Sequence, residues 1–487
     1  MVAFNWQSFN YFLLAIFFTF LSSAVISSGH GGIKLKLIHT HAVQRPNPAT
    51  QLERLRQLVH GDTIRLRGIS EKLEWKYGSN RRGNLERDAY FPACTNSSAG
   101  KADRNASAEL EMHSAADEGA GQYLVEFRVG SPAHRALLIA DTGSDLTWTN
   151  CRFSCRRGGC KRDSLKRRVF RADLSSTFRT VPCSSRTCRD DLSSLFSLNR
   201  CILPRDPCAY DYRYADGSSA QGVFGNDSVT LTLSNGRRTR LDNVLVGCSD
   251  SSNGPTIQAA DGVMGLGYSN HSFALRAATE FGGKFSYCLV DHLSPRNLTS
   301  YLVFGPHEQA HNISLNRRLR YTELVLGLIT PFYAVNVKGI SVGGSMLDIP
   351  AGTWDLGGTG GAIIDSGSSL TGLTRPAYGP VMGVLKRALV GFESLDLDIG
   401  AVEYCFNSSG FRESIVPRVV IHFMDGARIE PPVKSYVIDA APGVKCLGFV
   451  QVPWPGACVI GNIMQQNHLW EFDLVKGRLG FAPSRCT

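Results

Sequence analysis

The sequence predicts an all-β protein made of two similar lobes, and three observations carry that prediction. Of 487 residues only 19 % are charged and 49 are glycine, a composition that suits many short strands and tight turns better than a helical bundle. Two short stretches then repeat one pattern: Ala140-Asp141-Thr142-Gly143-Ser144 and Ile364-Asp365-Ser366-Gly367-Ser368. Each follows an apolar run (136–140 and 362–364) and reads as a buried strand ending in a hydroxyl-rich turn with one carboxylate. Finally, the surroundings repeat. Tyr123-Leu124-Val125-Glu126-Phe127 and Tyr333-Ala334-Val335-Asn336-Val337 alternate like strands ahead of the two turns, and Val263-Met264-Gly265 and Val459-Ile460-Gly461 follow them. One order of elements occurring twice at long period implies an internal duplication.

A single Asp-Thr-Gly is explained by turn chemistry alone, since Asp favours turns and Gly relaxes the backbone. Two copies behind apolar strands are harder to explain that way. Carboxylates that meet in space share a proton, one acting as base and the other as acid. Asp141 and Asp365 are therefore the candidate catalytic pair.

Taken in order, residues 1–24 read as a signal peptide. Tyr11 to Phe20 is apolar but shorter than the ~20 residues that span a bilayer, and Ser22-Ser23-Ala24 supplies small residues for cleavage. The stretch before Tyr11 lacks Lys and Arg, and an uncleaved anchor is the alternative. The C-terminal residues 482–487 show no hydrophobic tail of the lipid-anchor kind. The expected location is the secretory pathway, ending outside the cell or in a vacuole.

Residues 25–114 form a basic leader with no strand pattern. Residues 52–59 have helical spacing, and Arg65, Arg67, Arg81 and Arg82 continue the charge. This is either a disordered tail or a propeptide whose positive charge covers an acidic site.

Residues 115–318 are assigned to the first lobe and 319–487 to the second. Fourteen cysteines in a secreted chain imply disulfides. Eight lie in the first lobe (Cys151, Cys155, Cys160, Cys183, Cys188, Cys201, Cys208 and Cys248), with pairing open. Among Cys288, Cys405, Cys446, Cys458 and Cys486, one must be unpaired; Cys458 is chosen for its apolar strand. Zinc at Cys151, Cys155 and Cys160 is the alternative, disfavoured by the oxidising route and the spacing. The stretch from Cys151 to Cys208 is also basic (Arg156-Arg157, Lys161-Arg162, Lys166-Arg167-Arg168): a solvated loop, or a surface for anionic polysaccharide.

Tyr210-Asp211-Tyr212-Arg213-Tyr214 followed by Ala215-Asp216-Gly217-Ser218 reads as a hairpin. Asn226, Asn270, Asn297, Asn312 and Asn407 begin Asn-x-Ser/Thr triplets and are candidate glycosylation sites. The 12 His are scattered and no phosphate-binding Gly loop is present, so neither a metal nor a cofactor is expected. The net charge of +10 raises nucleic-acid binding, but much of it lies in the leader, and a signal peptide argues against that reading.

These residues together resemble the pepsin-type aspartic proteases, and among them the cysteine-rich plant group typified by nepenthesin. The resemblance runs from about Gly119 to the C-terminus. It rests on 141–146, Trp148, 214–218, the Gly262-Val263-Met264-Gly265-Leu266-Gly267 run, 365–368 and Gly461-Asn462. It implies a bilobal pepsin-like fold, two barrel-like lobes flanking a cleft, and a secreted endopeptidase made as a zymogen and active in acid. It implies that Thr142 and Ser366 cross-link the turns, and that Gly143, Gly367, Ser144 and Ser368 serve the carboxylates. Tyr214, Gly217 and Ser218 would belong to a flap over peptide substrate, with Trp148 supporting Tyr214. It implies the pairs Cys288–Cys486 and Cys405–Cys446, a monomer, and the propeptide reading of the leader. Two departures are Ser368-Ser369 where Thr-Thr is frequent and Ala215 where Gly is commoner. The rival is a catalytically silent binding or inhibitor protein on the same fold; in such relatives the second Asp turn is damaged, and here both are whole.

Overall fold

The computed structural model describes residues 50–80 (side chains to 70), 107–114, 121–153, 169–193, 201–254, 257–291, 300–306 and 318–486, with single residues at 196, 198, 294 and 298. Residues 1–24, Cys94, Cys155, Cys160, Asn297, Asn312 and residues 154–168, which hold the basic clusters of the insertion, lie outside these.

The described chain opens with helix α1 (Gln51–Asn80). It starts in a capping box: Glu53 N donates to Thr50 Oγ1 at 3.2 Å and Thr50 N donates to Glu53 Oε2 at 2.6 Å, satisfying amides that the first helical turn leaves free. The helix expected over 52–59 is therefore a short part of a longer one. Leu55, Leu58, Val59, Leu66 and Ile69 are buried in one cluster with Phe332, Leu370, Ile399, Val402 and Val452 of the second lobe.

The first lobe follows with β1 (Ala108–Ser114), β2 (Tyr123–Val129), β3 (His134–Asp141) and β4 (Trp148–Arg152). Next come β5 (Ala209–Arg213), β6 (Ser219–Thr232), β7 (Arg238–Asn253), β8 (Gly262–Gly265), β9 (Lys284–Cys288) and β10 (Ser300–Phe304). Strand β1 departs from the expectation that residues 25–114 hold no strand. The stretch assigned to a strandless leader ending at 114 contains a strand that pairs with β10 and β2. Its alternation buries Ala108, Leu110 and Met112 while Glu109 and Glu111 face outward, the period-2 pattern of a half-buried strand.

The second lobe contains β11 (Arg320–Val325), β12 (Tyr333–Val335), β13 (Ala362–Ile364), β14 (Thr371–Thr374), helix α2 (Arg375–Ala388), β15 (Phe449–Val452), β16 (Cys458–Ile460), the short helix α3 (Asn462–Gln465), β17 (His468–Asp473) and β18 (Arg478–Pro483). An antiparallel sheet joins the lobes in the order β1-β10-β9-β17-β18-β11. Its centre is aromatic: Phe285 of β9 stacks on Phe472 of β17 at 4.6 Å, and Tyr333 meets Phe472 edge-on at 4.8 Å. Such ring pairs add to area burial.

The duplication is visible in the registers. Strand β3 runs parallel to β8, which is antiparallel to β4; β13 runs parallel to β16, which is antiparallel to β14. Each Asp turn thus leaves a strand flanked by the apolar-apolar-Gly strand. The residues of β13 and β16 are buried throughout, which is why they read as unbroken apolar runs.

Five disulfides are described: Cys151–Cys248, Cys183–Cys201, Cys188–Cys208, Cys288–Cys486 and Cys405–Cys446. The last two match the pairs implied by resemblance, and the first three resolve pairings that sequence left open. Cys458 is a free, buried thiol that burial pushes above its ordinary pKa.

Candidate active site

The ends of β3 and β13 bring the two Asp turns face to face. Ser366 N donates to Thr142 Oγ1 at 2.9 Å and Thr142 N donates to Ser366 Oγ at 3.0 Å, while Ser366 Oγ donates to Ala140 O at 2.9 Å. The hydroxyls therefore cross from one lobe to the other and fix the turns together. Inside each turn the carboxylate is held by its own loop. Gly143 N and Ser144 Oγ donate to Asp141 at 2.9 and 2.7 Å, and Gly367 N and Ser368 Oγ donate to Asp365 at 2.9 and 2.6 Å.

The glycines are there for space. A Cβ on Gly143 would stand 2.7 Å from Asp365 Oδ1, and one on Gly367 would stand 2.2 Å from Asp141 Oδ1. Each carboxylate reaches over the other turn's glycine, and a side chain there would push the pair apart.

Helix α1 lies across this site. Arg65 Nη2 donates to Asp141 Oδ1 at 2.7 Å and to Asp365 Oδ1 at 3.2 Å, and Arg65 Nε donates to Asp365 Oδ2 at 3.0 Å and Ser368 Oγ at 3.1 Å. One turn earlier, Asp62 Oδ2 accepts from Ser369 N at 2.8 Å and Leu370 N at 2.5 Å. A charge buried this deeply is tolerated only when paired. Burial opposes the charge on Arg65, but the two carboxylates outweigh it and hold the guanidinium firmly protonated.

The two carboxyls differ. Burial pushes Asp141 up, yet Arg65, Ser144 and Gly143 outweigh it and leave Asp141 below the ordinary carboxylate range. Asp365 is pushed above that range by burial, only partly countered by Arg65, with Asp141 adding to the rise. Like charges this close resist ionising together, so the proton belongs to the pair.

The hairpin of β5 and β6 forms the other wall. Asp216 accepts from Ser218 N at 2.9 Å and Ser218 Oγ at 2.8 Å, and Gly217 takes φ +81° at the tip, where an L side chain would be strained. Trp148 Nε1 donates to Tyr214 Oη at 2.5 Å, placing both aromatics as resemblance implied. The tip closes on α1: a Cβ on Gly68 would meet Ala215 O at 2.7 Å.

Among the candidate glycosylation sites, Asn270 is exposed, while Asn226 and Asn407 are half-buried; Asn407 Oδ1 also accepts from Ser409 Oγ at 2.8 Å. No helix among the described residues is long and apolar enough to cross a membrane.

Sequence reasoning noted Arg65 only as charge and missed Asp62. The signal was available. Leu55, Leu58, Asp62, Arg65 and Ile69 follow a 3-4-3-4 spacing, so the two charged residues stand inside the buried stripe of the helix.

Two lobes joined by one sheet, with crossed Asp turns between them, define the class: the chain belongs to the pepsin-like aspartic protease family. A sequence model described as the xylanase inhibitor N-terminal region matches residues 123–306, and its C-terminal counterpart matches residues 332–483. More particularly, the chain is 36 % identical over 376 residues to aspartyl protease family protein 2 of Arabidopsis thaliana, covering 76 % of this chain and 72 % of that one. It is 32 % identical over 378 residues to aspartic proteinase nepenthesin-1 of Nepenthes gracilis, covering 76 % and 79 %. Among solved structures, basic 7S globulin from soybean matches with a TM-score of 0.61 at 19 % identity, covering 77 % of this chain and 96 % of that one. That likeness concerns the fold.

Proposed function

We propose that the chain is an aspartic endopeptidase made as a zymogen, with Asp141 and Asp365 activating water and α1 holding the pair idle. The observation that supports this most is the Arg65 guanidinium shared by both carboxylates. A charged, precisely paired plug is what an intact catalytic pair needs before release.

With α1 withdrawn, a peptide lies extended beneath the Tyr214 hairpin, which excludes water from the cleft. The ionised carboxyl takes a proton from water as its oxygen adds to the scissile carbonyl carbon, and the neutral carboxyl donates to the carbonyl oxygen. Collapse of the tetrahedral species breaks the C–N bond as the carboxyl that took water's proton passes it to the amine nitrogen. The other carboxylate recovers a proton from a hydroxyl of the tetrahedral species as its C=O reforms, which restores the pair. Gly143, Ser144, Gly367 and Ser368 keep the ionised form supplied with donors throughout. No metal or cofactor enters this scheme.

In the same proposal the signal segment directs secretion to the wall space or vacuole, and the enzyme acts as a monomer on protein substrates. The basic insertion then offers a surface for anionic polysaccharide; elution from a polyanion matrix with no salt dependence would sink that part. A silent inhibitor on the same fold is the rival. The test is cleavage of denatured globin at pH 3 to 5 by acid-treated protein, with and without pepstatin. Pepstatin-sensitive cleavage that appears as the leader is lost is expected. A folded, leader-free protein that cleaves nothing favours the inhibitor.

A further inference from the structure

The two catalytic turns are held from behind in different ways. In the first, main-chain amides do it: Leu266 N donates to Asp141 O at 2.8 Å and Gly267 N donates to Ser144 O at 2.9 Å. In the second, three consecutive carbonyls each take a hydrogen bond from a primary amide side chain. Gln465 Nε2 donates to Asp365 O at 3.2 Å, Asn462 Nδ2 to Ser366 O at 3.0 Å, and Gln122 Nε2 to Gly367 O at 3.3 Å. All three amides are buried.

The difference has a local cause. After Gly461 the chain turns into α3, and its first amides are committed further along the turn: Asn462 N donates to Ser368 O at 2.7 Å and Ile463 N to Ser369 O at 3.1 Å. The carbonyls of 365–367 are left to side chains. Those side chains are themselves fixed. Gln465 Nε2 also donates to Ile460 O at 2.8 Å, and its Oε1 accepts from Tyr287 Oη at 2.5 Å. Asn462 Nδ2 also donates to Gly121 O at 3.0 Å. Strands β9 and β16 and the segment entering β2 thus converge on one turn. A buried carbonyl that loses its donor is costly, so the turn follows the amides.

We infer that Gln465, with Asn462 and Gln122, is a positioning residue that sets where Asp365 stands relative to Asp141. It acts through the backbone of the turn and touches no substrate. The inference rests on the protease reading above. It adds that the mature chain retains Gly121 and Gln122, because both belong to the cradle.

The experiment compares the acid-activated full chain with Gln465→Met and Gln465→Glu. Met has similar length and no donor, and is expected to lower kcat by about tenfold to a hundredfold with KM little changed, as for a small misplacement of a catalytic group. Glu keeps the shape and donates only when protonated, so its kcat is expected to fall relative to the parent as pH rises. A merely structural role would move neither the kcat-against-KM split nor the pH profile. Gln122→Met, at the margin of the network, is the variant to use if Gln465→Met does not fold. A substrate-free readout accompanies these: titration of the two carboxyls by NMR in leader-free protein, where the parent separates them and Gln465→Met brings them closer together. A parent that cleaves, with a Gln465→Met that matches it in kcat and carboxyl titration, overturns the inference. A parent that cleaves nothing, yet whose carboxyl titration shifts in Gln465→Met, removes the protease reading and leaves the positioning role standing.

Discussion

Arg65 Nη2 stands 2.7 Å from Asp141 Oδ1, and the same nitrogen reaches Asp365 Oδ1 at 3.2 Å. Asp141 is held below its ordinary pKa in this state, so its ionised form favours docking of α1. That contribution is full above the ordinary carboxylate pKa and is lost as pH falls through the lowered docked value. Acid should therefore release α1. Arg65→Gln removes one partner of a buried ion cluster, a change worth about 3 kcal/mol or roughly a hundredfold in grip. The expected result is activity appearing at a higher pH than in the parent, measured as the pH of half-activation. An unchanged midpoint would show that the Arg65 ion cluster does not set the pH at which the helix is released.

Asp62 works in the opposite direction. Burial pushes its carboxyl up to about 7, against the lowering by the Leu370 and Ser369 amides and by Arg65, while Asp365 adds to the rise. A raised pKa means that docking prefers the neutral form, so this contact strengthens as pH falls from about 7 toward the ordinary range. Asp62 resists acid release, and Asp141, whose pKa is lowered on docking, drives it. Asp62→Asn keeps an oxygen for both amides without the charge. It is expected to slow hydrogen exchange in α1 at pH 8 and to leave it unchanged near pH 4. Faster exchange at pH 8 would refute this.

How much of this was legible depended on where the signal was local. The two Asp turns, the Tyr214 hairpin and the free Cys458 each announce themselves within a few residues, because strand period, turn residues and apolar runs act at short range. Strand β1 was equally local, in Ala108-Glu109-Leu110-Glu111-Met112, but it was grouped with the basic leader that precedes it. Arg65 and Asp62 were visible only as charges interrupting a helical stripe, and what they meet lies 300 or more residues away in Asp365 and Ser369. Gln122 and Gln465 could not be ranked by sequence at all, and Asn462 entered only through the Gly461-Asn462 motif, with no role attached. Amides are ordinary surface residues until burial and a convergent set of carbonyls give them work.

Trp148 and Tyr214 give a graded prediction. Trp148→Phe keeps the ring packing and removes the donor to Tyr214 Oη. A buried neutral hydrogen bond is worth about 0.5–1.5 kcal/mol. The expected effect is a loss of kcat/KM of roughly twofold to tenfold, larger for long peptides that need the hairpin closed than for short ones. An equal loss for both lengths would place the effect in folding.

The catalytic pair is tested by Asp365→Asn. The amide preserves shape and can still accept from Gly367 N, so the turn and the crossed Thr142 and Ser366 hydroxyls should survive. It cannot supply a proton at the right moment, and loss of general acid–base catalysis costs about 10²–10⁴ in rate. Thermal unfolding near that of the parent together with cleavage lowered to that extent is the expected outcome. The variant also removes one negative charge from Arg65 while leaving Asp141 in place, so α1 should loosen by less than in Arg65→Gln. If cleavage stays near the parent rate, Asp365 is not half of a catalytic pair, and the crossed turns are a structural joint between the lobes.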